Sequence, residues 1–241
     1  MSDARLAGQV ALVTGAGRGI GRAIAETFGA QGAAVALAAR SSRDLANVAN
    51  AIQAGGGRAL AVPTDVRQEP AVAACVKRTV ADLGRLDVLV AAAGVAVFGP
   101  VAESRPADWD EMIAVNLRGA YLSCRAALPT MLAQRRGTLI LVGSMVTGRT
   151  LPGSAGYTAS KYGLLGLGRV LTEELRGSGV RVGVLSAGAV NTPLWDSIPG
   201  APERSLMITS AQVAEVALLM ATLAPNASLE ELTLMPARGV L

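Results

Sequence analysis

Two side chains that could transfer a proton lie four positions apart in the segment GYTASKYG, residues 156–163. They are Tyr157 and Lys161, and the chain has no histidine to act as an acid or base in their place. If the segment is helical, both side chains project from one face. A phenol titrates near pH ~10, and a neighbouring cation lowers its pKa by favouring the phenolate. The spacing therefore indicates either a catalytic acid/base pair or an ordinary pair on a helix surface.

Lysine is rare in this chain, which makes its position informative. Only Lys77 and Lys161 are lysine among the 22 Lys+Arg residues. Arginine would serve equally in a surface ion pair, whereas a compact ammonium can donate to two neighbouring hydroxyls at once. The lack of histidine also excludes a Ser-His-Asp triad, a Cys-His pair and a histidine metal site, and we expect no bound metal.

The composition predicts a soluble protein with an aliphatic core. Hydrophobic residues make up 51% of the chain and aromatic residues only 3%, so Ala, Val and Leu must fill the core. The net charge of +4 is mild and the arginines are scattered, which argues against a nucleic-acid partner but suits a small ligand carrying phosphate. Cys75 and Cys124 lack metal-ligand spacing and indicate buried thiols in a reducing compartment. No apolar run resembles a signal peptide or a membrane span, so we expect a cytoplasmic protein without a membrane partner.

Apolar runs alternate with helix-like stretches along the whole chain, and most of the runs lack polar alternation. This pattern is typical of parallel strands covered on both faces. It predicts an α/β fold with one domain over residues 1–241, built on a doubly wound parallel sheet of about seven strands with helices on both faces. The predicted strands are residues 10–14, 34–39, 59–63, 88–92, 138–143, 180–185 and 229–235, and the predicted helices are residues 21–30, 45–54, 71–83, 108–132 and 157–175. Residues 187–210 are predicted to form a long loop that acts as a substrate lid.

A glycine-rich turn, TGAGRGIG, follows the first predicted strand and leads into the first helix. Gly15, Gly19 and Gly21 would let the chain turn tightly and bring backbone N–H groups to a pyrophosphate at the helix N-terminus. The spacing differs from GxGxxG because Ile20 occupies the place of the last glycine. Dinucleotide binding is favoured over a plain structural turn by the strand before it and the helix after it.

These motifs, read in order, resemble the short-chain dehydrogenase/reductase family over nearly the whole chain. The resemblance rests on TGAGRGIG, on Ser144, and on Tyr157 and Lys161 thirteen and seventeen residues after that serine. It implies a Rossmann-type domain, a nicotinamide cofactor, and hydride transfer to or from a carbonyl or alcohol carbon. It also implies that Tyr157 is the acid/base, that Ser144 binds the substrate oxygen, and that Lys161 binds the nicotinamide ribose and lowers the tyrosine pKa.

The resemblance assigns further residues to the two ligands. Asn116 matches the asparagine that holds a proton-relay water, and Asp65 matches the aspartate at the adenine ring. The cofactor is expected to contact Gly15, Arg18, Gly19, Ile20, Gly21, Arg40, Ser41, Asp65, Val66, Ala92, Gly94, Tyr157, Lys161, Gly188, Val190 and Thr192. The substrate is expected to contact Phe98, Met145, Leu151, Leu194 and Trp195, although these apolar residues could equally be packing.

The end of the second predicted strand favours NADP(H) over NAD(H). A dinucleotide site that selects NAD normally has a carboxylate there, which binds the ribose 2′-hydroxyl and repels a 2′-phosphate. This chain has Ala39 at that position, followed by Arg40 and Ser41, and Arg18 of the glycine-rich turn could reach the same phosphate. The alternative is that Arg40 is one more exposed arginine.

Two segments depart from the pattern of the family. Ala91 to Gly94 reads AAAG where Asn-Asn-Ala-Gly is usual, and Ser186 to Gly188 reads SAG where Asn-Pro-Gly is usual. The first change removes amides that steady the central strands, and the second removes a rigid proline near the nicotinamide. Neither position supplies the proton.

The sequence thus predicts an NADP(H)-dependent oxidoreductase acting on a carbonyl or secondary alcohol, of the ketone or 3-oxoacyl reductase type. Acyl-thioester, steroid, sugar and simple ketone substrates all stay open. The alternatives are a non-catalytic dinucleotide-binding regulator and an epimerase or dehydratase. Gly163, Gly166 and Gly168 lie in the same helix as Tyr157, and interior glycines disfavour a helix by about 1 kcal/mol each relative to alanine. Close packing against the sheet or against another subunit would compensate, and we expect a homotetramer or homodimer.

Overall fold

The computed structural model describes residues 4–198 and 201–239, and its centre is a parallel sheet of seven strands. The order across the sheet is β3-β2-β1-β4-β5-β6-β9, with every neighbouring pair parallel. A short parallel pair, β7 and β8, lies apart from it. The strands are β1 (Val10–Thr14), β2 (Ala34–Ala39), β3 (Arg58–Pro63), β4 (Val88–Ala91), β5 (Gly137–Val142), β6 (Val180–Ala187), β7 (Val190–Asn191), β8 (Ile208–Thr209) and β9 (Glu231–Leu234).

Seven α-helices of the described chain connect these strands. They are α1 (Gly19–Ala30), α2 (Ser42–Ala54), α3 (Glu69–Leu83), α4 (Pro106–Met112), α5 (Gly119–Gln134), α6 (Ala155–Glu174) and α7 (Ser210–Thr222). No helix in residues 4–198 or 201–239 combines the length and apolar character needed to cross a bilayer.

The two faces of the sheet carry separate aliphatic cores. Along β1, Val13 faces a core that α1, α2 and α7 cover, with Phe28 fully buried in it. Leu12 faces the opposite core, beneath α3, α5 and α6. Alternate side chains of one strand therefore enter different cores, as expected when helices cover both faces. The predicted doubly wound α/β fold is confirmed.

Both cysteines are buried in the second core, as predicted. Cys75 and Cys124 are 2% and 1% exposed. Burial in apolar surroundings raises the pKa of both thiols, that of Cys124 to about 12. Neither thiol forms a disulfide in the described chain.

The predicted helix over residues 108–132 is interrupted in the structure. Between α4 and α5, Ile113–Arg118 form a π-helix. Its backbone hydrogen bonds join residues five apart, compared with four apart in an α-helix, so the turn is wider. Hydrophobic periodicity does not distinguish this wide turn from regular helix, so one continuous helix was predicted. The wide turn contains Asn116, which is 1% exposed.

The prediction of one long loop over residues 187–210 was only partly right. The segment contains β7, β8 and two short 3₁₀ turns, Pro193–Ser197 and Arg204–Leu206. Residues 199 and 200 lie outside the described chain. Helix α7, which follows, was missed, although a capping box formed by Thr209 and Gln212 marks its start.

The unusual Ser186-Ala187-Gly188 segment extends the sheet. Strand β6 was predicted to end at residue 185, but it continues to Ala187, which pairs with Leu234 of β9. The Gly188 N–H then donates to the Leu234 carbonyl at 2.9 Å. A proline at position 187 would lack a backbone N–H and is disfavoured within a strand, so alanine suits this longer ladder.

Thr14 joins the two central strands where the usual asparagines are absent. Its hydroxyl accepts the backbone N–H groups of Ala92 and Ala93 at 3.2 and 3.3 Å, and it lies 3.4 Å from the Val90 carbonyl. Thr14 is 4% exposed. One buried hydroxyl of β1 therefore fixes the chain as it leaves β4.

We predict that Thr14→Val destabilises the protein by about 1–3 kcal/mol, because the two amides lose their acceptor while the side-chain shape is kept. Chemical denaturation measures the change in free energy of unfolding. Thr14→Ser, which keeps the hydroxyl, should lose less than half as much. Equal losses in the two variants would show that this hydroxyl does not hold the strands.

Candidate active site

Most of the predicted cofactor residues, with Tyr157 and Lys161 among them, meet at the carboxyl edge of the sheet around a cavity of about 360 Å³, whereas Asn116 and Ser144 are not among its lining residues. Ligands of open α/β sheets bind at this edge. Fourteen of the sixteen predicted cofactor residues line the cavity: Gly15, Arg18, Gly19, Ile20, Gly21, Arg40, Ser41, Asp65, Val66, Ala92, Gly94, Tyr157, Lys161 and Thr192.

The other two predicted cofactor residues do not line this cavity. Gly188 packs against the C-terminal segment, where an added Cβ would lie 2.7 Å from Pro236 Cδ. Val190 is 4% exposed and belongs to the core beside α7. Both positions were assigned from the family pattern, and the longer β6 turns this segment of the chain toward β9.

Two glycines of the glycine-rich turn leave no space for a side chain. Gly15 and Gly19 have φ angles of +69° and +56°, which glycine adopts without strain. A Cβ on Gly15 would lie 2.8 Å from the Ala92 carbonyl oxygen, and one on Gly21 would lie 2.4 Å from the Gly15 carbonyl oxygen. Arg18 precedes α1 without capping it through its side chain. The first amides of the helix therefore face the cavity at its positive dipole end, which suits a phosphate group.

Lys161 is the buried cation of the site. It is 5% exposed, and its Nζ donates to the Val142 carbonyl at the end of β5 over 2.8 Å. The same Nζ lies 5.7 Å from the centre of the Tyr157 ring, so α6 presents both side chains to one place. Burial lowers the pKa of Lys161 to about 8. The ammonium has two N–H donors beyond the one that Val142 accepts.

The prediction that the pKa of Tyr157 is lowered was wrong, because the surrounding protein groups raise it. Burial raises the pKa of Tyr157, and the nearby Ser144 hydroxyl only partly opposes that rise. The reason is that desolvation disfavours the phenolate more than these neighbours stabilise it. Tyr157 is therefore a protonated phenol near neutral pH.

Ser144 lies two residues beyond the end of β5 and is 6% exposed. Its backbone is extended, and its Oγ accepts the Val146 N–H at 3.4 Å to begin a short 3₁₀ turn. The hydroxyl proton stays available for another acceptor. Ser144 lies near enough to Tyr157 to affect the pKa of its phenol. The contact of Ser144 with the substrate oxygen stays a prediction.

The Asn116 side chain connects three parts of the site. Its Oδ1 accepts the Val95 N–H at 2.8 Å, and its Nδ2 donates to the Val95 carbonyl and to Ser160 Oγ at 2.9 and 3.0 Å. It thereby ties the π-helix to the chain that leaves β4 and to α6. This connection was not predicted, and the relay water assigned to Asn116 stays a prediction.

A charged network lies at the end of the cavity that Arg40 and Asp65 line. Arg67 binds Asp65 through several contacts, the shortest 2.6 Å, and binds Glu111 at 2.7 Å. The Arg67 guanidinium holds the pKa of the Asp65 carboxyl below its usual range. Arg40 Nη1 lies 3.9 Å from Glu111 Oε1, and its side chain is 59% exposed. Arg67 and Glu111 were missed because they meet only through the tertiary fold.

Three of the five residues assigned to the substrate lie close to Tyr157 or to the cavity, and their contact with a substrate stays a prediction. Phe98 packs edge-on against Tyr157 with ring centres 5.8 Å apart, and Trp195 stacks on Phe98 at 6.4 Å. Trp195 Nε1 donates to the Val190 carbonyl at 3.0 Å, which fixes the ring, and Leu194 lines the cavity. The other four predicted substrate residues are not among its lining residues, and the turn after Ser144 directs Met145 to a different cavity beside β9.

The sequence and the fold can be compared with known proteins. The family model described as short chain dehydrogenase matches residues 9–202. A D-threitol dehydrogenase of Mycolicibacterium smegmatis is 36% identical over 211 residues, which cover 86% of this chain and 81% of that enzyme.

Two solved structures are similar over almost their full length. A metagenomic short-chain oxidoreductase in complex with NADP is 40% identical, with a TM-score of 0.85 and coverage of 97% of this chain and 99% of that one. An alcohol dehydrogenase from the archaeon Thermococcus sibiricus, complexed with 5-hydroxy-NADP, is 32% identical, with a TM-score of 0.88 and coverage of 95% and 97%. This chain therefore belongs to the short-chain dehydrogenase family of Rossmann-type oxidoreductases.

Proposed function

We propose that this oxidoreductase reduces a ketone or 3-oxoacyl carbonyl to a secondary alcohol with NADPH, and catalyses the reverse reaction with NADP. The observation that carries the proposal is the pairing of Tyr157 with the buried Lys161 in the cavity that the glycine-rich turn also lines. The substrate is a small molecule, and Ser144, Tyr157, Lys161 and Asn116 form the catalytic set.

The cavity fits a nicotinamide dinucleotide. The glycine-rich turn and the first amides of α1 would hold the pyrophosphate, and Lys161 would donate its two remaining N–H groups to the nicotinamide ribose. When bound, the nicotinamide supplies or accepts the hydride. Asp65 and Val66 line the adenine end of the same cavity.

The proton step belongs to Tyr157 and Ser144. Both hydroxyls would donate to the substrate carbonyl oxygen, and Tyr157 would give its proton to the alkoxide as charge develops. The raised pKa of Tyr157 keeps the phenol protonated at neutral pH, which is the form that reduction requires.

A non-catalytic dinucleotide-binding regulator is the second candidate. Such a protein would need the glycine-rich turn but would have no use for a proton donor beside a buried ammonium. The position of Tyr157 beside Ser144 and the buried Lys161 supports the enzyme over the regulator. An epimerase or dehydratase would use the same four residues, and loss of NADPH absorbance with a panel of ketones separates these classes.

The charges at the end of β2 support NADP(H) as the cofactor. Arg40 and Arg18 line the cavity there, and the strand itself ends in Ala39 rather than a carboxylate. A guanidinium suits phosphate because it offers paired hydrogen bonds. Two structures similar to this chain contain NADP or a derivative of it.

We also propose that the chain forms a homodimer or homotetramer through α6. Gly163 and Gly168 face inward, where an added Cβ would lie 2.6 Å from Leu117 and 2.4 Å from Val184. Gly166 faces outward between Tyr162 and Val170, whose side chains are 47% and 55% exposed. Helices can approach closely at such a stripe across a two-fold axis.

We predict that Tyr157→Phe lowers kcat/KM by about 10²-fold or more, because the substrate oxygen loses its proton donor. NADPH oxidation with a reactive ketone measures the rate, and calorimetric titration should show NADPH affinity within about threefold of the parent. Tyr162→Phe, an exposed tyrosine on the same helix, should be fully active. Near-normal turnover in Tyr157→Phe would refute the mechanism.

We predict that Arg40→Ala weakens NADPH binding by on the order of tenfold or more and leaves NADH binding nearly unchanged, because only NADPH carries the 2′-phosphate. Titration of both cofactors measures the two dissociation constants. Arg43→Ala, an exposed arginine on α2 outside the cavity lining, is the matched control. If Arg40→Ala lost both affinities together, the residue would not recognise the phosphate.

We predict that light scattering gives the mass of a dimer or tetramer at micromolar concentration, and that Gly166→Gln lowers that mass. A Cβ at Gly166 meets nothing within 4 Å, so the subunit itself tolerates the side chain. Glutamine also favours the helix by about 1 kcal/mol over glycine, so the thermal midpoint tests that the subunit stays folded. A monomeric parent protein would contradict the proposal.

A further inference from the structure

The corner of the cavity at the end of β2 contains a carboxylate that the strand itself lacks. Asp44, in the first turn of α2, lines the cavity together with Gly17, Ala39 and Arg40. A Cβ built on Gly17 would lie 3.1 Å from Asp44 Cβ, 3.7 Å from Ala39 Cβ and 3.8 Å from Asp44 Oδ2. The carboxylate therefore shares one small space with the glycine-rich turn and the strand end.

The start of α2 holds Asp44 in this place. Ser41 is the N-cap, and its Oγ accepts the Asp44 N–H at 3.2 Å. The next residue, Leu45, is fully buried in the core. The position of Asp44 thus depends on a cap and a core contact, and not on its own charge.

In the part of the chain that the structure describes, no ion pair neutralises the Asp44 charge. Within residues 4–198 and 201–239, no cationic nitrogen lies within 4.0 Å of the Asp44 carboxylate. Glu111 differs, because Arg67 binds it at 2.7 Å. Asp44 is half-buried and stays available to a ligand in the cavity.

An available carboxylate and an exposed guanidinium in one corner have opposite effects on the two cofactors. A carboxylate accepts a hydrogen bond from a ribose 2′-hydroxyl and repels a 2′-phosphate, while arginine attracts the phosphate. In an NAD site the carboxylate normally lies at the end of the second strand, where this chain has Ala39. Here Asp44 of α2 brings a carboxylate to the same corner.

We propose that Asp44 is a specificity-determining residue that binds the ribose 2′-hydroxyl of NAD(H) and limits the preference for NADP(H) set by Arg40. This inference rests on the proposed function, because it requires the adenosine ribose to occupy this corner. The protein then uses NADPH better than NADH, but by a smaller margin than its arginines alone would give.

The test is calorimetric titration of the parent protein and of Asp44→Asn with NADPH and with NADH at low ionic strength. Asparagine keeps the size of the side chain and the backbone N–H that Ser41 caps. We expect NADPH to bind about tenfold more tightly to the variant, since a like charge near the phosphate is removed. NADH should bind no more tightly than to the parent. Raising the salt to about 0.5 M should shrink the NADPH gain, because salt screens charges in an open cavity.

Two controls separate the proposed role from other effects. Glu26→Gln removes an acidic charge on α1 that is outside the cavity lining, and it should leave the ratio of the two dissociation constants unchanged. Asp44→Ser gives a second test if the asparagine variant folds poorly, as the thermal midpoint will show.

The outcomes distinguish the two proposals. If the parent binds neither cofactor, the proposed function and this inference both fail. If the parent binds both but the Asp44 variants change the two affinities equally, or not at all, this inference fails and the proposed function stands. A selective gain for NADPH in both Asp44 variants confirms the inference.

Discussion

The interaction on which the site depends is the buried hydrogen bond from Lys161 Nζ to the Val142 carbonyl. A buried ammonium without a carboxylate is unfavourable, and the lowered pKa of Lys161 expresses that cost. The fold nevertheless forces Lys161 inward. Gly168 has no side chain, so α6 approaches Val184 of β6 closely, and this close packing brings Lys161 over the end of β5. A ligand that offers hydroxyl oxygens to the remaining N–H groups would stabilise the buried ammonium and offset part of its desolvation penalty.

The elements around Lys161 are joined by polar side chains at positions where regular structure ends. Thr14 holds the chain that leaves β4, and Asn116 ties the following segment to the π-helix and to α6. Because each of these groups is buried and fully engaged, displacing one would leave amides without partners. The cavity is thus bordered by hydrogen-bonded segments that follow β4 and precede α6. Phe98 and Trp195 form an apolar wall beside Tyr157.

The sequence allowed the prediction of those features that depend on local chemistry. Gly15, Gly19 and Gly21 follow from a strand, a turn and a helix, and Tyr157 and Lys161 follow from helical spacing. The role of Asp44 needs the tertiary approach of α2 to Gly17, and Glu111 meets Arg40 and Arg67 from a distant helix. Helix α7 was missed because residues 210–222 are apolar on most sides, although its capping box could have revealed it. Met145 lines a second cavity beside β9, which was not foreseen because a strand end does not tell which way the next turn directs its side chains.

The central claim is that the Lys161 ammonium binds the cofactor from a buried position, and the pH dependence of NADPH binding tests it most directly. Burial lowers the pKa of free Lys161 to about 8. Bound hydroxyls and phosphates would favour the charged form, so NADPH affinity should be highest below pH 8 and should fall as the pH rises through that value. Arginine stays charged throughout this range, so Lys161→Arg should bind NADPH more weakly, with no such fall. A parent affinity that stays level from pH 7 to about pH 9.5, or an identical fall in the arginine variant, would contradict the account.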